Sequence, residues 1–393
     1  MASPEMTSPD MASPDVTQIT PLPLRGLTTL RTGAAPERMR EASTTAELIS
    51  ALHSVWKTHD EWFVLGGGSN LFAGDEPFDG TVVRILTSGI EELPSPHEGR
   101  VRLRVQAGHS WDDLVAYAVE RGYAGVEAMS GIPGTVGAAP VQNVGAYGQE
   151  IQETLVEVEM IDEGADAPVV VPAAELELGF RTSVLKHHYG EAQGRRAVIL
   201  SVTLDLAVTG DAGRVIRGEQ LRRALGLEDF EPVPLDWVRT RILQTRAAKG
   251  MLLDGSDPDT FSAGSFFQNA IVPERIARGL PPECPRWPVE PDLDTVTVIP
   301  LETYAGLTPR AGRPEGLVKV SAAWLIENSG IRKGFRLPRS RAGVSTKHAL
   351  ALTNRGEATA GELGELARFI QSRVHAEFGL LLQPEPVLVG VEL

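Results

Sequence analysis

Apolar positions recur at helical spacing in several parts of this chain. Leu48, Leu52 and Val55 share one face behind Thr44 and Glu47, whose separation is that of a capping box. Ser110 and Asp113 open a second helix carrying Leu114, Ala118 and Val119, which stops at Gly122. Residues 236–246 suit another, and SAAWLIENSGI reads as a short one ended by Gly330. Thr359 and Glu362 open the last long helix, whose apolar face is Leu363, Leu366, Ile370, Val374 and Phe378. Short apolar runs predict strands in EWFVL, at 81–86, at 101–107, in LVEVEMI and in RAVILSVTLDLAV. LLLQPEPVLVG closes the chain as strand-like segments around a proline-bounded glutamate. The order of elements is that of an α+β protein in two main parts. EQLRRALGLEDFEPVPLD reads as the connection, with the boundary near 225–235.

Residues 131–150, GIPGTVGAAPVQNVGAYGQE, follow neither period. Gly131, Gly134, Gly137, Gly145 and Gly148 suit successive turns that Pro133 and Pro140 would stiffen, and Glu150 is the only charge. A long uncharged loop is costly to order, so it has either a ligand or a rigid structural role. GGGSN at 66–70 follows an apolar strand and can turn backbone N–H groups toward an anion, or can be a plain tight turn. Leu71 stands where a dinucleotide fingerprint would need its third glycine, and no phosphate-loop motif with its lysine occurs. Two such loops, about 65 residues apart in sequence, can grip a pyrophosphate from both sides through neutral donors.

At 393 residues the chain is expected to hold more than one core. Its 40 glycines favour a loop-rich α/β-type protein over a helical bundle, and a net charge of −15 argues against broad nucleic-acid or anionic-membrane binding. Cys284 is the only cysteine, so no intrachain disulfide or thiolate metal cluster can form, and the thiol reads as buried or idle. No apolar run approaches the roughly 18 residues of a membrane span, and the N-terminus lacks the parts of a signal peptide. A cytoplasmic location is expected. MASPEMTSPDMASPDV is a degenerate repeat of small, acidic and proline residues, and residues 1–18 are expected to be a disordered tail.

On local sequence alone, the chemistry-bearing residues stay ambiguous. Ser265 in SAGSFFQN reads as a turn or cap residue, or as a proton donor if a neighbour assists it. Glu385, between Pro384 and Pro386, is either an exposed turn glutamate or a carboxyl aimed by two prolines. Arg181 in GFRTSVLK is a surface strand arginine or a fork for a carboxylate. Arg239, Arg246 and Lys249 form either a solvated helix face or a phosphate contact. His187 and His188 are adjacent and so do not share a face, which speaks against a metal pair.

VLGGGSN followed by SGIPGTVGAAPVQNVGAYGQE closely resembles the flavin-binding signatures of the UDP-N-acetylenolpyruvoylglucosamine reductase family (MurB). GFRTSVLK, AGSFFQNAIV and QPEPVLVG resemble that family's three other characteristic segments, in the same order, so the likeness spans about residues 20–393. The resemblance implies an FAD-binding domain of the vanillyl-alcohol-oxidase type over 19–228, in two subdomains split near residue 88. A C-terminal α+β substrate-binding domain would follow over 229–393, its last strand returning toward the flavin site. FAD would be held by Gly66, Gly67, Gly68, Ser69 and Asn70 in the first loop. In the second it would be held by Gly131, Pro133, Gly134, Thr135, Gly137, Ala138, Asn143, Gly145, Ala146 and Tyr147. The implied reaction is reduction of a UDP-sugar enol ether by NADPH through FAD, with Arg181, Ser265 and Glu385 catalytic and Arg246, Lys249 and Asn269 on the substrate. A monomer without metal, membrane or nucleic-acid partner is expected.

Some positions depart from the family pattern. Thr182 stands where aspartate usually follows the arginine, and Gln268 and Ala270 stand where lysine and proline are frequent. A nucleotide-closing tyrosine of some members would fall near RVIRGEQL, where Arg217 stands, so Arg217 and Tyr189 are both open for that part. Two other readings stay open: an oxidase of the same fold, and a flavin or nucleotide-sugar binding protein without turnover.

Overall fold

The helix Thr45–Trp56 begins as its sequence predicts: the Thr44 hydroxyl accepts from the Glu47 N–H, and the Glu47 carboxylate accepts from the Thr44 N–H. In the computed structural model, which describes residues 18–186, 194–289 and 316–393, this helix covers a four-stranded sheet. Its strand order is Gln18–Ile19, Arg38–Ala42, Thr81–Ile85, Trp62–Leu65, and the last three run parallel. The expected tail lies outside the described residues save for Gln18, which begins the first strand. His187, His188 and Tyr189 also lie outside them.

A second, antiparallel sheet is built around the long strand Ala197–Val208. Leu155–Asp162 and Val169–Pro172 lie to one side of it, and Arg100–Gln106 and Ile90–Pro94 to the other. Residues 198–206 are all buried: Val198, Ile199 and Leu200 form a continuous apolar run, and beyond them Val202, Leu204 and Leu206 alternate with Ser201, Thr203 and Asp205. The helix Trp111–Glu120, capped by the Ser110 hydroxyl, packs its Leu114, Val115 and Ala118 into the same core as Leu48 and Leu52 of the first helix. Gly122 ends it with φ +69°.

The segment read as a connection contains a helix, Glu219–Leu225, closed by Gly226 in the left-handed region. Its seven residues are too few to show a periodic face, which is why the pattern hides it. Leu221 and Leu225 pack with Val238 and Ile242 of the helix Leu235–Ala248 and with Ala128, forming a small core beside the second glycine loop.

The C-terminal part has an antiparallel three-stranded sheet in the order Ala270–Pro273, Leu317–Val320, Arg286–Val289. The helices Ala322–Asn328 and Ala360–Phe378 join its core, which includes Phe266, Phe267, Leu325, Leu363, Leu366 and Ile370. Cys284 is buried, and burial pushes its thiol pKa up. The chain then crosses back: Val387–Val389 runs parallel to Leu71–Ala73, the strand that follows the first glycine loop. Among the described residues no helix is long and apolar enough to cross a membrane.

Candidate active site

The two glycine loops lie against each other. The Ser69 hydroxyl donates to the Pro133 carbonyl at 3.0 Å. A Cβ on Gly67 would stand 2.7 Å from the Gly134 Cα, one on Gly134 would stand 2.7 Å from the Ser69 Oγ, and one on Gly66 would collide with the Thr135 hydroxyl. Only bare backbone fits here. Among the described residues, the N–H groups of Gly67, Gly68, Ser69, Asn70, Gly134 and Thr135 donate to no protein acceptor. Unspent backbone donors on two apposed bends are what a pyrophosphate requires, and neutral donors are aided by the low charge of both loops. The residues present therefore fit FAD.

The rest of the second loop is tied inward. Gly131, at φ +73°, donates its N–H to Asp112 at 2.6 Å. Gly137 donates to the Ala107 carbonyl. Asn143 is fully buried with φ +46°; its amide donates to Glu150 and to the Gly179 carbonyl, which carries the loop to the GFRTSVLK segment. Gly145 and Ala146 pair with Glu150 and Gln149 in a short hairpin through Tyr147 and Gly148. Tyr147 has φ +54°, and burial raises its hydroxyl pKa.

Arg181 is held at this junction in a left-handed conformation, φ +56°, within a tight turn bridging Gly179 and Thr182. Its guanidinium donates to the carbonyls of Asn143 at 3.3 Å and Gly145 at 2.9 Å, and lies 3.4 Å from the Glu385 carboxylate. A non-glycine residue at positive φ persists only where its surroundings hold it. Here the loop carbonyls and Glu385 orient the fork, so its support does not depend on an aspartate at position 182.

Glu385 is fastened on three sides. Its N–H donates to the Phe266 carbonyl at 2.9 Å, and its own carbonyl accepts from Lys186 Nζ at 3.0 Å and Asn70 Nδ2 at 3.4 Å. Burial pushes its carboxyl pKa up, opposed by the positive charges of Arg181 and Lys186. Side-chain area nonetheless shows an opening, with 16% of the carboxyl-bearing side chain exposed; we read a group walled in by protein and reachable from one side. Phe267 bridges Pro384, and the Phe266 carbonyl next to Ser265 accepts from the Glu385 N–H, which brings the two backbone segments together. Phe266 and Phe267 are fully buried, Phe266 packs edge-on against both Phe267 and Phe72, and Ser265 beside them is half-buried.

The expected substrate residues divide. Lys249 is exposed, 5.7 Å above the Tyr147 ring. Arg246 is half-buried beside Gly131, donates to the Met251 carbonyl, and among the described residues its buried Nε has no partner. Burial lowers its pKa, opposed by Tyr147 and Asp112. Arg239, paired with Arg246 by helical spacing, is not free for a phosphate: its fork is spent on both Asp112 oxygens at 2.6 and 2.8 Å. The Asn269 side-chain oxygen accepts from the Ala322 N–H, at the start of a helix. Arg217 is exposed at the surface. Sequence reasoning missed Lys186, His348 and Lys333. Lys186 is almost wholly buried, and burial brings its pKa down to about 8 against the pull of Glu385. Burial and the charges of Lys249 and Lys333 hold His348 down to about 4. The signal for Lys186 was its place at the end of an otherwise uncharged run.

Residues 36–169 match the sequence model of an FAD binding domain, and residues 257–389 match that of the UDP-N-acetylenolpyruvoylglucosamine reductase C-terminal domain. The UDP-N-acetylenolpyruvoylglucosamine reductase of Leifsonia xyli subsp. xyli is 50% identical over 95% of this chain and 99% of that protein. The chain belongs to that family. The reductase of the same name from Thermobifida fusca is 43% identical over 95% of the chain and 98% of its own length. The crystal structure of UDP-N-acetylenolpyruvylglucosamine reductase (MurB) from Thermus caldophilus, 24% identical, covers 95% of this chain and 98% of its own with a TM-score of 0.57, a likeness of fold. The α+β class, with an FAD-binding domain followed by the family's C-terminal domain, stands as the sequence implied.

Proposed function

We propose that this chain reduces UDP-N-acetylglucosamine enolpyruvate to UDP-N-acetylmuramate with NADPH as electron source and FAD as resident cofactor. The observation that carries the reading is the convergence of Arg181 on Glu385, 3.4 Å apart, where both glycine loops and the returning C-terminal strand meet. Gly66 to Asn70 and Gly131 to Tyr147 would hold the cofactor, which supplies hydride-transfer chemistry when bound.

An enol ether conjugated to a carboxylate gains a hydride at its terminal carbon and a proton at the adjacent one. Negative charge develops on the carboxylate side between the two events. The Arg181 fork, fixed by two loop carbonyls, stabilises that charge without reorganising. Ser265 protonates the adjacent carbon, and Glu385, whose carboxyl tends toward its neutral form by burial, steadies the enol oxygen. Lys249 and Arg246 receive the UDP phosphates, with Lys333 adding to the positive field beside the neutral His348 imidazole, and Asn269 offers its amide N–H groups to the substrate.

The flavin domain spans 19–228 in two subdomains split near residue 88, and 229–393 forms the substrate domain, with Leu235–Ala248 packed back on the flavin side. The protein works as a cytoplasmic monomer on small-molecule partners.

Anaerobic reduction of the FAD-loaded protein by NADPH, followed by the enolpyruvyl substrate, tests the reading. Flavin reoxidised by substrate supports it; flavin reoxidised only by oxygen makes the protein an oxidase. In Ser265→Ala, reduction by NADPH should persist while substrate reduction drops by about 100-fold or more. Equal rates in both half-reactions would remove Ser265 as proton donor.

A further inference from the structure

Lys186 is a charged residue only 6% exposed, and its ammonium donates to a backbone carbonyl, that of Glu385, at 3.0 Å. An ammonium carries three donors and is costly to bury, and a methionine of similar length would fill the space at less cost. A mechanical tether for the Pro384–Glu385–Pro386 segment could be made by a neutral amide, and Asn70 already supplies one. What a neutral donor does not supply is charge. The charged groups facing the Glu385 carboxyl are Arg181, at 3.4 Å from the turn at Gly179–Thr182, and Lys186 from the end of the same segment. Beyond them stand Lys319, from the three-stranded sheet, and Glu150, from the second glycine loop. Burial works against the charge on Lys186 and Glu385 sustains it.

We propose that Lys186 is a positioning residue for Glu385: its ammonium fixes the proline-bounded segment through the Glu385 carbonyl and supplies, beside Arg181, the second positive charge acting on that carboxyl. This rests on the reading of Glu385 as a catalytic group. Lys186 acts through Glu385, whose carbonyl it holds. With Lys186 charged, the carboxyl releases its proton at a lower pH than burial by itself would allow.

The test separates charge from tether. Lys186→Gln keeps a hydrogen-bond donor at nearly the same reach and removes the charge, whereas Lys186→Arg keeps the charge. The Glu385 carboxyl is titrated in FAD-loaded protein by isotope-edited infrared spectroscopy, its band assigned by loss in Glu385→Gln. Lys186→Gln should move that titration upward by about one pH unit or more. The limb of the pH profile for substrate reduction should shift with it, and Lys186→Arg should restore both toward wild type. A titration that stays in place in Lys186→Gln overturns the proposal, as does a shift of equal size in Lys186→Arg. Should Lys186→Gln not accumulate as folded protein, Lys186→Met reads the same titration without a polar group in an apolar wall. The reading beneath is checked separately: a Glu385→Gln enzyme that reduces substrate at the wild-type rate would remove Glu385 from catalysis, while the infrared shift would still decide whether Lys186 governs its charge.

Discussion

Arg181 illustrates how much a single side chain can be asked to do here. Its fork serves two loop carbonyls and the Glu385 carboxylate together, from a backbone at φ +56°. Lysine has the same charge but offers a point in place of a plane, so it can satisfy one of these partners with good geometry and not three. Arg181→Lys should therefore slow substrate reduction by about 100-fold, a magnitude typical of one misplaced oxyanion donor, while the protein still binds FAD. Stopped-flow measurement of each half-reaction checks this; a loss below about threefold would show that charge alone suffices. Arg181, Ser265 and Glu385 were singled out as candidates by the motifs around them. Lys186 was not, because its partner lies 199 residues away in sequence and burial is a tertiary property. Arg239 misled for the same reason: helical spacing placed it beside Arg246, and only the fold brings Asp112 to it.

At the scale of elements, sequence spoke clearly where the local physics is self-contained. The Thr44 and Thr359 capping boxes, the Ser110 cap and the Gly122 stop need no distant partner, and the helices begin and end as those signals predict. The three-stranded sheet of the C-terminal part was silent. Its strands are four residues each and two contain proline, so neither alternation nor length marks them. The glycine loops are the opposite case: they were visible as a break in every period, but which backbone atoms they present depends on their apposition. That apposition makes a sharp prediction. The Cβ of Gly67→Ala would stand 2.7 Å from the Gly134 Cα, against main chain that cannot swing aside. Overpacking of this kind costs about 1–3 kcal/mol, so FAD affinity should fall by about 10-fold or more, read by equilibrium titration of the apoprotein with FAD. Gly255→Ala, where a Cβ meets nothing within 4 Å, should bind FAD as the wild type does.

Across the whole molecule, a chain of net charge −15 gathers Lys249, Lys333 and His348 about one place. Such a field has a cost that appears as acid sensitivity. In the unfolded chain the His348 imidazole takes its proton near 6.5, whereas in the folded protein burial and the two lysines delay this to about 4. A folded pKa below the unfolded one means stability that is complete above 6.5 and is lost as pH falls from there toward 4. The gap corresponds to about 3 kcal/mol. Urea unfolding of the apoprotein at intervals across this range should show such a loss over and above that of His348→Gln, in which the contribution is absent. Parallel curves for the two proteins would remove His348 from the account. Saturating UDP-sugar should then shrink the difference, because a diphosphate lodged between Lys249 and His348 offsets the lysine charges and lets the imidazole accept its proton without unfolding the site. A difference left unchanged by the nucleotide would place the phosphates away from His348.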